Sequence, residues 1–299
     1  MSLEWLDLSN PVAVWWLFLV TVSAANIAAL LWLQSRFQAG SRNAQGAFAI
    51  EPLLLLATAY VLGCAFRSVL PRADVQRICL FDTWLSSIMV GRSVATIAEL
   101  CFAAQWAIVL GTLGTLANSD TAKNIARLIV PLIAIAECCS WYAVITTNYL
   151  GNVLENSLWT AAFVLVAIAL IRLVTRFRGA FQLAIAVAAF GSFGYVIFMG
   201  TVDVPMYFLR WQADLASGKQ FLSALAGLRD VATRWTVTYD IVQWRDEIAW
   251  MSLYFSLAVW TSLTLGGLGL VRHLVPRFVV RVPLAKPTRP PLPATMHST

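Results

Sequence analysis

The 299-residue chain is 60% hydrophobic and only 12% charged, with a formal net charge of +6 and a mean hydropathy of +0.74. A soluble domain carries about 25% charged residues, so the composition excludes an ordinary soluble globule, and several apolar runs exceed the roughly 20 residues that span a bilayer. Unbroken runs select helices over a barrel, and the expected fold is all-α: a polytopic membrane helix bundle of about seven transmembrane helices forming one domain over 1–272.

Span 1 opens at Asn10-Pro11, a cap followed by proline at the first helical position, and runs to about Gln34. The acidic N-terminus and the length of this run suit a retained span rather than a cleaved signal peptide. Span 2 covers about Phe48 to Phe66, with Arg67 and Arg72 bracketing Pro71 behind it. Residues 73–92 carry a roughly one-sided apolar stripe (Val75, Ile78, Cys79, Phe81, Leu85, Ile88, Met89). The preferred reading of this stripe is an interfacial amphipathic helix. The alternative is one long helix continuous with span 3.

Span 3 runs from Ser93 to about Leu116, and its Gly111 and Gly114 allow close helix approach. Span 4, about Asn124 to Tyr149, and span 5, Leu154 to about Val174, form an antiparallel hairpin across a short turn. Span 6, about Ala180 to Thr201, holds Gly191, Gly194 and Gly200 and is expected to pack tightly. The connection 203–247 reads as a short helix from Pro205 to about Ala216, then a second amphipathic stripe from Phe221 to Val231. Span 7 is expected behind Asp246-Glu247, at 248–271, and 273–299 is a basic, proline-rich tail expected to be extended and largely disordered.

With the N-terminus outside, twelve of the 21 lysines and arginines fall on the inner side and the short 4–5 turn has none. The positive-inside rule then favours an outer N-terminus and a cytoplasmic C-terminus. The 2–3, 4–5 and 6–7 connections would share the outer face, bringing carboxylates, asparagines and tryptophans together there.

Polar groups at membrane depth are costly unless paired or used, which singles out the stretch Glu137–Trp159. Glu137, Ser140, Trp141, Val144 and Asn148 share one face of span 4. Glu137 lies near mid-span, where a carboxyl is expected to be protonated or hydrogen-bonded to donors of other helices. On span 3, Arg92, Thr96, Glu99 and Ala103 share a face; Arg92 and Glu99, seven residues apart, are expected to find partners elsewhere, the plainer reading being interhelical salt bridges. Candidate acid–base groups are Glu99, Glu137, Glu155 and Asp203. Candidate substrate contacts are Arg92, Gln105, Trp141, Tyr142, Asn148, Asn152 and Trp159.

No metal ligand set and no cofactor are evident. The only histidines, His273 and His297, lie in the tail, which argues against histidine-ligated haem, di-iron or zinc within the membrane. No nucleophile elbow, P-loop or dinucleotide fingerprint is present, and adjacent Cys138 and Cys139 read as packing residues. The basic tail lacks interleaved aromatics and suits anionic lipid headgroups rather than nucleic acid. Three functions remain open: an intramembrane carboxylate- and tryptophan-lined cavity that binds or acts on a lipidic or hydrophobic small molecule; a transporter or proton- or ion-coupled channel; and a structural subunit of a membrane complex or homo-oligomer.

Overall fold

The structure, a computed structural model, describes residues 7–42, 51–271 and 275–280. Ten α-helices are described: α1 (Pro11–Arg42), α2 (Pro52–Val69), α3 (Ile88–Leu116), α4 (Asp120–Thr146), α5 (Leu150–Val174), α6 (Gly179–Phe198), α7 (Val204–Ala216), α8 (Ala224–Thr233), α9 (Ile241–Leu253) and α10 (Val259–Val271). They supply seven candidate spans long and apolar enough to cross a membrane, since α6–α7 and α9–α10 each run on through one π turn. The bundle is all-helical apart from a small three-stranded sheet on one end.

Local chemistry sets the boundaries. Pro52 stands at the start of α2, Ser87 Oγ accepts from Val90 N to cap α3, and Ser119 Oγ accepts from Ala122 N to cap α4. Thr147 adopts a left-handed φ of 59° that ends α4, and Asn148 Oδ1 accepts from Leu150 N at 3.0 Å to open α5. Such side-chain acceptors satisfy amides that a helix start leaves orphaned.

α3 is the central element. It packs on α2 and α4 and touches α5 and α10, while α1, α2 and α10 form one flank and α4 and α5 the other. A membrane-depth clamp joins three of these helices: Gln105 Nε2 donates to Leu53 O and Ser262 O, both at 3.1 Å, and Ser262 Oγ donates to Gln105 Oε1 at 2.6 Å. Gly114 comes close to α4, an added Cβ lying 3.0 Å from Lys123 N. α6 is peripheral: it leans on α5, and only Ile185, Ala189 and Ser192 are buried along it.

Four expectations are corrected. Residues 73–92 are neither an interfacial helix nor one continuous helix: β1 (Arg72–Ala73) turns back antiparallel onto β2 (Ile78–Cys79), a 3-10 turn covers Trp84–Ser86, and α3 then begins at Ile88. The left-handed φ of 61° at Arg77 breaks any helix there. Of the apolar stripe, Val75, Ile78, Cys79, Phe81 and Ile88 are buried and Leu85 is exposed; Val75 and Ile88 cluster with Val231 of α8, Phe81 meets Trp16 of α1, and β3 (Thr236–Val237) pairs parallel to β2. Secondly, Gly191, Gly194 and Gly200 do not mediate tight packing, because a Cβ at any of them would meet nothing within 4 Å. Thirdly, the last span starts earlier than expected: α9 opens at Ile241, capped by Asp240 Oδ1, so Asp246 and Glu247 lie inside the helix. The connection after span 6 differs too, its first helix α7 continuing α6 without a break in the backbone ladder. Of the tail, 275–280 dock on the α5–α6 turn, where Arg178 N donates to Phe278 O and Val280 N to Arg176 O, both at 2.9 Å; 281–299 lie outside the described residues.

The 2–3, 4–5 and 6–7 connections do share one face, as topology requires, and they form a cap. Arg77 pins it: its guanidinium donates to Asp230 Oδ2 at 2.7 Å, to Asp74 O and to Val144 O. Leu222 N donates to Thr146 O at 3.0 Å and Trp235 Nε1 to Asp82 Oδ1 at 3.0 Å. Gly227 rests on the end of α4 so closely that a Cβ would lie 2.0 Å from Ile145 O.

Candidate functional site

Arg92 enters from the second turn of α3 and gathers three carboxylates. Its Nη2 lies 2.7 Å from Glu137 Oε2 on α4, 3.4 Å from Glu99 Oε2 on its own helix and 3.5 Å from Glu155 Oε1 on α5. All four side chains are at least nine-tenths buried. Thr96 Oγ1 also donates to Glu137 Oε2, at 2.6 Å, and accepts from Trp141 Nε1 at 3.1 Å. Tyr254 OH donates to Glu99 Oε1 at 3.3 Å, and Asn152 Nδ2 to Glu155 Oε2 at 3.1 Å.

The expectation that Arg92 and Glu99 are too far apart to meet is therefore corrected. Seven residues is close to two turns, so the two positions nearly eclipse, and extended side chains close an axial gap of about 10.5 Å. Interhelical pairing, the plainer reading for both, is also present, through Glu137. Glu137 takes both the guanidinium, at 2.7 Å, and the neutral Thr96 hydroxyl, at 2.6 Å, so the donors expected from another helix are present in charged and neutral form.

One guanidinium against three carboxylates leaves two negative charges in excess if all are ionised. Such an excess in an apolar surrounding is costly unless cations or protons offset it. The three glutamates bring one oxygen each within 4.8 Å of one another, but the Arg92 guanidinium already occupies their shared centre, so this set does not fit a resident metal ion. Around it, four buried polar atoms have no hydrogen-bond partner: Arg92 Nε, Glu137 Oε1, Ser140 Oγ and Asn152 Oδ1.

This cluster closes the inner end of a cavity of about 990 Å³. The walls come from α3, α5, α6 and α9–α10, with Tyr60 and Arg67 from α2 and only Ser140 and Val144 from α4. Phe102, Trp106, Trp159, Phe163 and Tyr195 make the central wall. Toward the membrane side, Leu183, Val187, Gly191 and Gly194 of α6 face Leu257, Trp260, Thr261 and Thr264 of α10 across it. α6 and α10 have no extensive packing contact among the described residues, so the cavity opens sideways between them.

A second polar group lines the cap end. Asp203 is buried and its carboxylate accepts from Asn156 Nδ2 at 2.5 Å, its only side-chain hydrogen bond among the described residues. Glu247, also buried, accepts from Gln76 Nε2 at 2.8 Å and from Arg210 Nη1 at 3.3 Å. Arg72 is fully buried against Gly91, paired to Asp74 at 2.8 Å. Burial pushes the Arg72 guanidinium down to about 10, against the pull of Asp74. Burial acts to raise the Asp74 carboxyl, but Arg72, Arg67 and Arg92 outweigh it and hold it below the usual range.

Both spans that border the opening carry a π turn, Met199–Asp203 and Tyr254–Ala258. Asp203 and Tyr254, which reach the polar end, stand at these turns. π turns recur at functional sites because the extra residue re-aims side chains.

Of the expected site residues, Glu99, Glu155, Asp203, Arg92, Asn152 and Trp159 line the cavity together. Glu137 and Trp141 sit behind them, at the α3–α4 seam. Gln105 belongs to the interhelical clamp, Asn148 to the α5 cap, and Tyr142 is half-exposed with its hydroxyl accepting from Asn148 Nδ2. The sequence reading missed Tyr254, Tyr60, Arg67 and the α6 glycine face. Only Arg67, an arginine at the end of an apolar run, carried a local signal.

The chain matches no protein-family model, and no curated protein or solved structure matches it. Fold and site together define a class, a polytopic helical bundle with a laterally open cavity ending in buried charge.

Proposed function

We propose that the protein binds an amphiphile from the bilayer, with the apolar chain between α6 and α10 and the polar head at the Arg92 cluster. The observation that carries this reading is the sideways opening, whose α6 wall is bare at Gly191 and Gly194. An apolar wall leading to a few convergent polar groups is the usual make-up of a small-molecule site. Asp203, with one amide as its partner, and Glu155 are the groups placed to exchange a proton with the head. The charge distribution supports an outer cap and N-terminus with a cytoplasmic C-terminus.

The test uses Gly194→Trp. A Cβ there meets open space, so the variant is expected to keep the parent's thermal stability in detergent while the indole fills the opening. Native mass spectrometry of the parent is expected to show a co-purifying amphiphile that the variant lacks. Equal ligand retention by a folded Gly194→Trp protein would overturn the reading.

The buried carboxylate cluster also favours a second reading, proton- or ion-coupled transport through the same cavity. Proteoliposome flux that depends on Glu99 and Glu155 would support it, and flux no greater than in empty vesicles would remove it.

A further inference from the structure

Resting on that reading, we infer the chemistry of the head group: it is a cation, an ammonium carried on an apolar chain. Five carboxylates (Asp74, Glu99, Glu155, Asp203 and Glu247) line the cavity against three guanidiniums (Arg67, Arg72 and Arg92); just behind, Glu137 adds a negative charge and Arg210, paired with Glu247, a positive one, so the excess stays negative. The resident cations are already engaged where the charge is densest: Arg72 with Asp74, and Arg92 with three glutamates at once. Arg67 is the one lining guanidinium without an ion pair among the described residues, so carboxylates still outnumber arginines along the wall and an anionic head would meet that excess.

The unpartnered atoms point the same way. At the Glu155 end, Asn152 Oδ1 is an unpartnered acceptor and Ser140 Oγ can accept, with Glu137 Oε1 just behind; the unpartnered donors on the cavity wall include Arg92 Nε, Arg72 Nη2 and Trp106 Nε1. Ser140 and Asn152 both line the cavity and are each about nine-tenths buried or more. A primary ammonium brings three donors and no acceptor, which suits the free Asn152 Oδ1 and Ser140 Oγ beside Glu155. The surrounding wall is aromatic, with Trp159, Trp250 and Tyr254 lining the cavity at this end, and aromatic faces attract desolvated cations. The ammonium sits between Glu155 and Asp203, and its chain runs out past Trp106 and Phe163 toward the α6–α10 opening.

The experiment compares three probes of one chain length on the full chain in maltoside micelles: dodecylamine, dodecanol and dodecanoate, read by tryptophan fluorescence and thermal shift. Dodecylamine is expected to bind at least about tenfold tighter than the other two. Glu155→Gln is expected to weaken dodecylamine most and to bring the three probes within about threefold of one another. Asp203→Asn gives the same readout if Glu155→Gln does not fold.

Dodecanol or dodecanoate binding as tightly as the amine overturns the head-group inference and leaves the amphiphile reading standing. Failure of all three to bind removes both. If bound dodecylamine is displaced by phosphatidylethanolamine but not by phosphatidylglycerol, the ammonium source is a lipid headgroup. Displacement only by single-chain amines identifies a free long-chain amine, and either result supports the cationic site.

Discussion

Replacing Arg92 by methionine removes the one charge that holds three glutamates together while keeping much of the side chain's volume. The geometry fixes the magnitude. The glutamate oxygens lie within 4.8 Å of one another, and at an effective dielectric of 20 each ionised pair at that distance repels by about 3.5 kcal/mol. The variant answers by taking up protons or by opening, and removing one partner of a buried pair typically costs about 3–5 kcal/mol. At roughly 2–4 °C per kcal/mol, the melting temperature of the detergent-solubilised chain is expected to fall by about 10 °C. Glu137→Gln on its own removes the shortest ion pair, 2.7 Å, yet it also relieves the surplus and is expected to cost less. The double variant Arg92→Met with Glu137→Gln is then expected to melt above Arg92→Met alone, a positive coupling of contacting sites. An Arg92→Met protein as stable as the parent, or a double variant whose losses simply add, would refute the charge-surplus argument.

The cap supplies further tests. Gly227→Ala pushes a Cβ to 2.0 Å from Ile145 O, an overpacking worth about 1–3 kcal/mol, and trypsin is expected to cut at Arg229 and Arg234 several-fold faster; unchanged cleavage would show that α8 does not dock as described. Burial pushes the Cys79 thiol up to about 11, so Cys79 is expected to stay unlabelled by maleimide at neutral pH until the chain is unfolded, as peptide mapping would show. Asp74 is held below its ordinary value by the nearby arginines despite its burial. Its stabilising contribution is therefore complete above the unfolded carboxyl value of about 3.8 and is lost as pH falls through the folded value. Asp74→Asn is expected to flatten the acid limb of the stability curve below pH about 4 and to leave its slope near neutrality unchanged.

The spans were legible because a bilayer leaves little choice: a run of apolar residues with few charges must close its own hydrogen bonds as a helix. Their chain order, the 4–5 hairpin and the shared face of the long connections follow from that alone. The segment at 73–92 misled because period and burial are separate facts. An apolar stripe shows that residues are covered, and Val75, Ile78 and Phe81 are covered, but the cover comes from distant parts of the chain: Val231 of α8 at Val75, β3 beside Ile78 and Trp16 of α1 at Phe81. Arg77 in a left-handed conformation leaves no mark in composition. The glycines of α6 misled similarly: small residues permit close packing, and here they leave space open instead. The carboxylate cluster was half legible. Glu99, Glu137 and Glu155 were conspicuous as charges at depth, but that they share one arginine depends on three helices meeting, which no local spacing encodes.

The two π turns bear on how such a cavity survives beside lipid. A helix that bulges frees a carbonyl from its own ladder, and within a membrane that carbonyl needs a donor from elsewhere. In the α9–α10 span the donor is Asn26, whose Nδ2 reaches Phe255 O at 2.8 Å from α1. This gives the otherwise apolar first span a reason to carry a buried asparagine, 2% exposed. It also ties α1 to the wall that presents Tyr254 to Glu99. On the opposing side, α6 packs chiefly on α5, and its π turn is held there by the buried bond from Asn156 Nδ2 to Asp203 Oδ2, while Arg210 of α7 pairs with Asp246 and Glu247 of α9. Each wall of the opening is thus anchored at its π turn by a buried side-chain hydrogen bond to a neighbouring helix, which is what lets two bulged helices stand apart without collapsing the space between them.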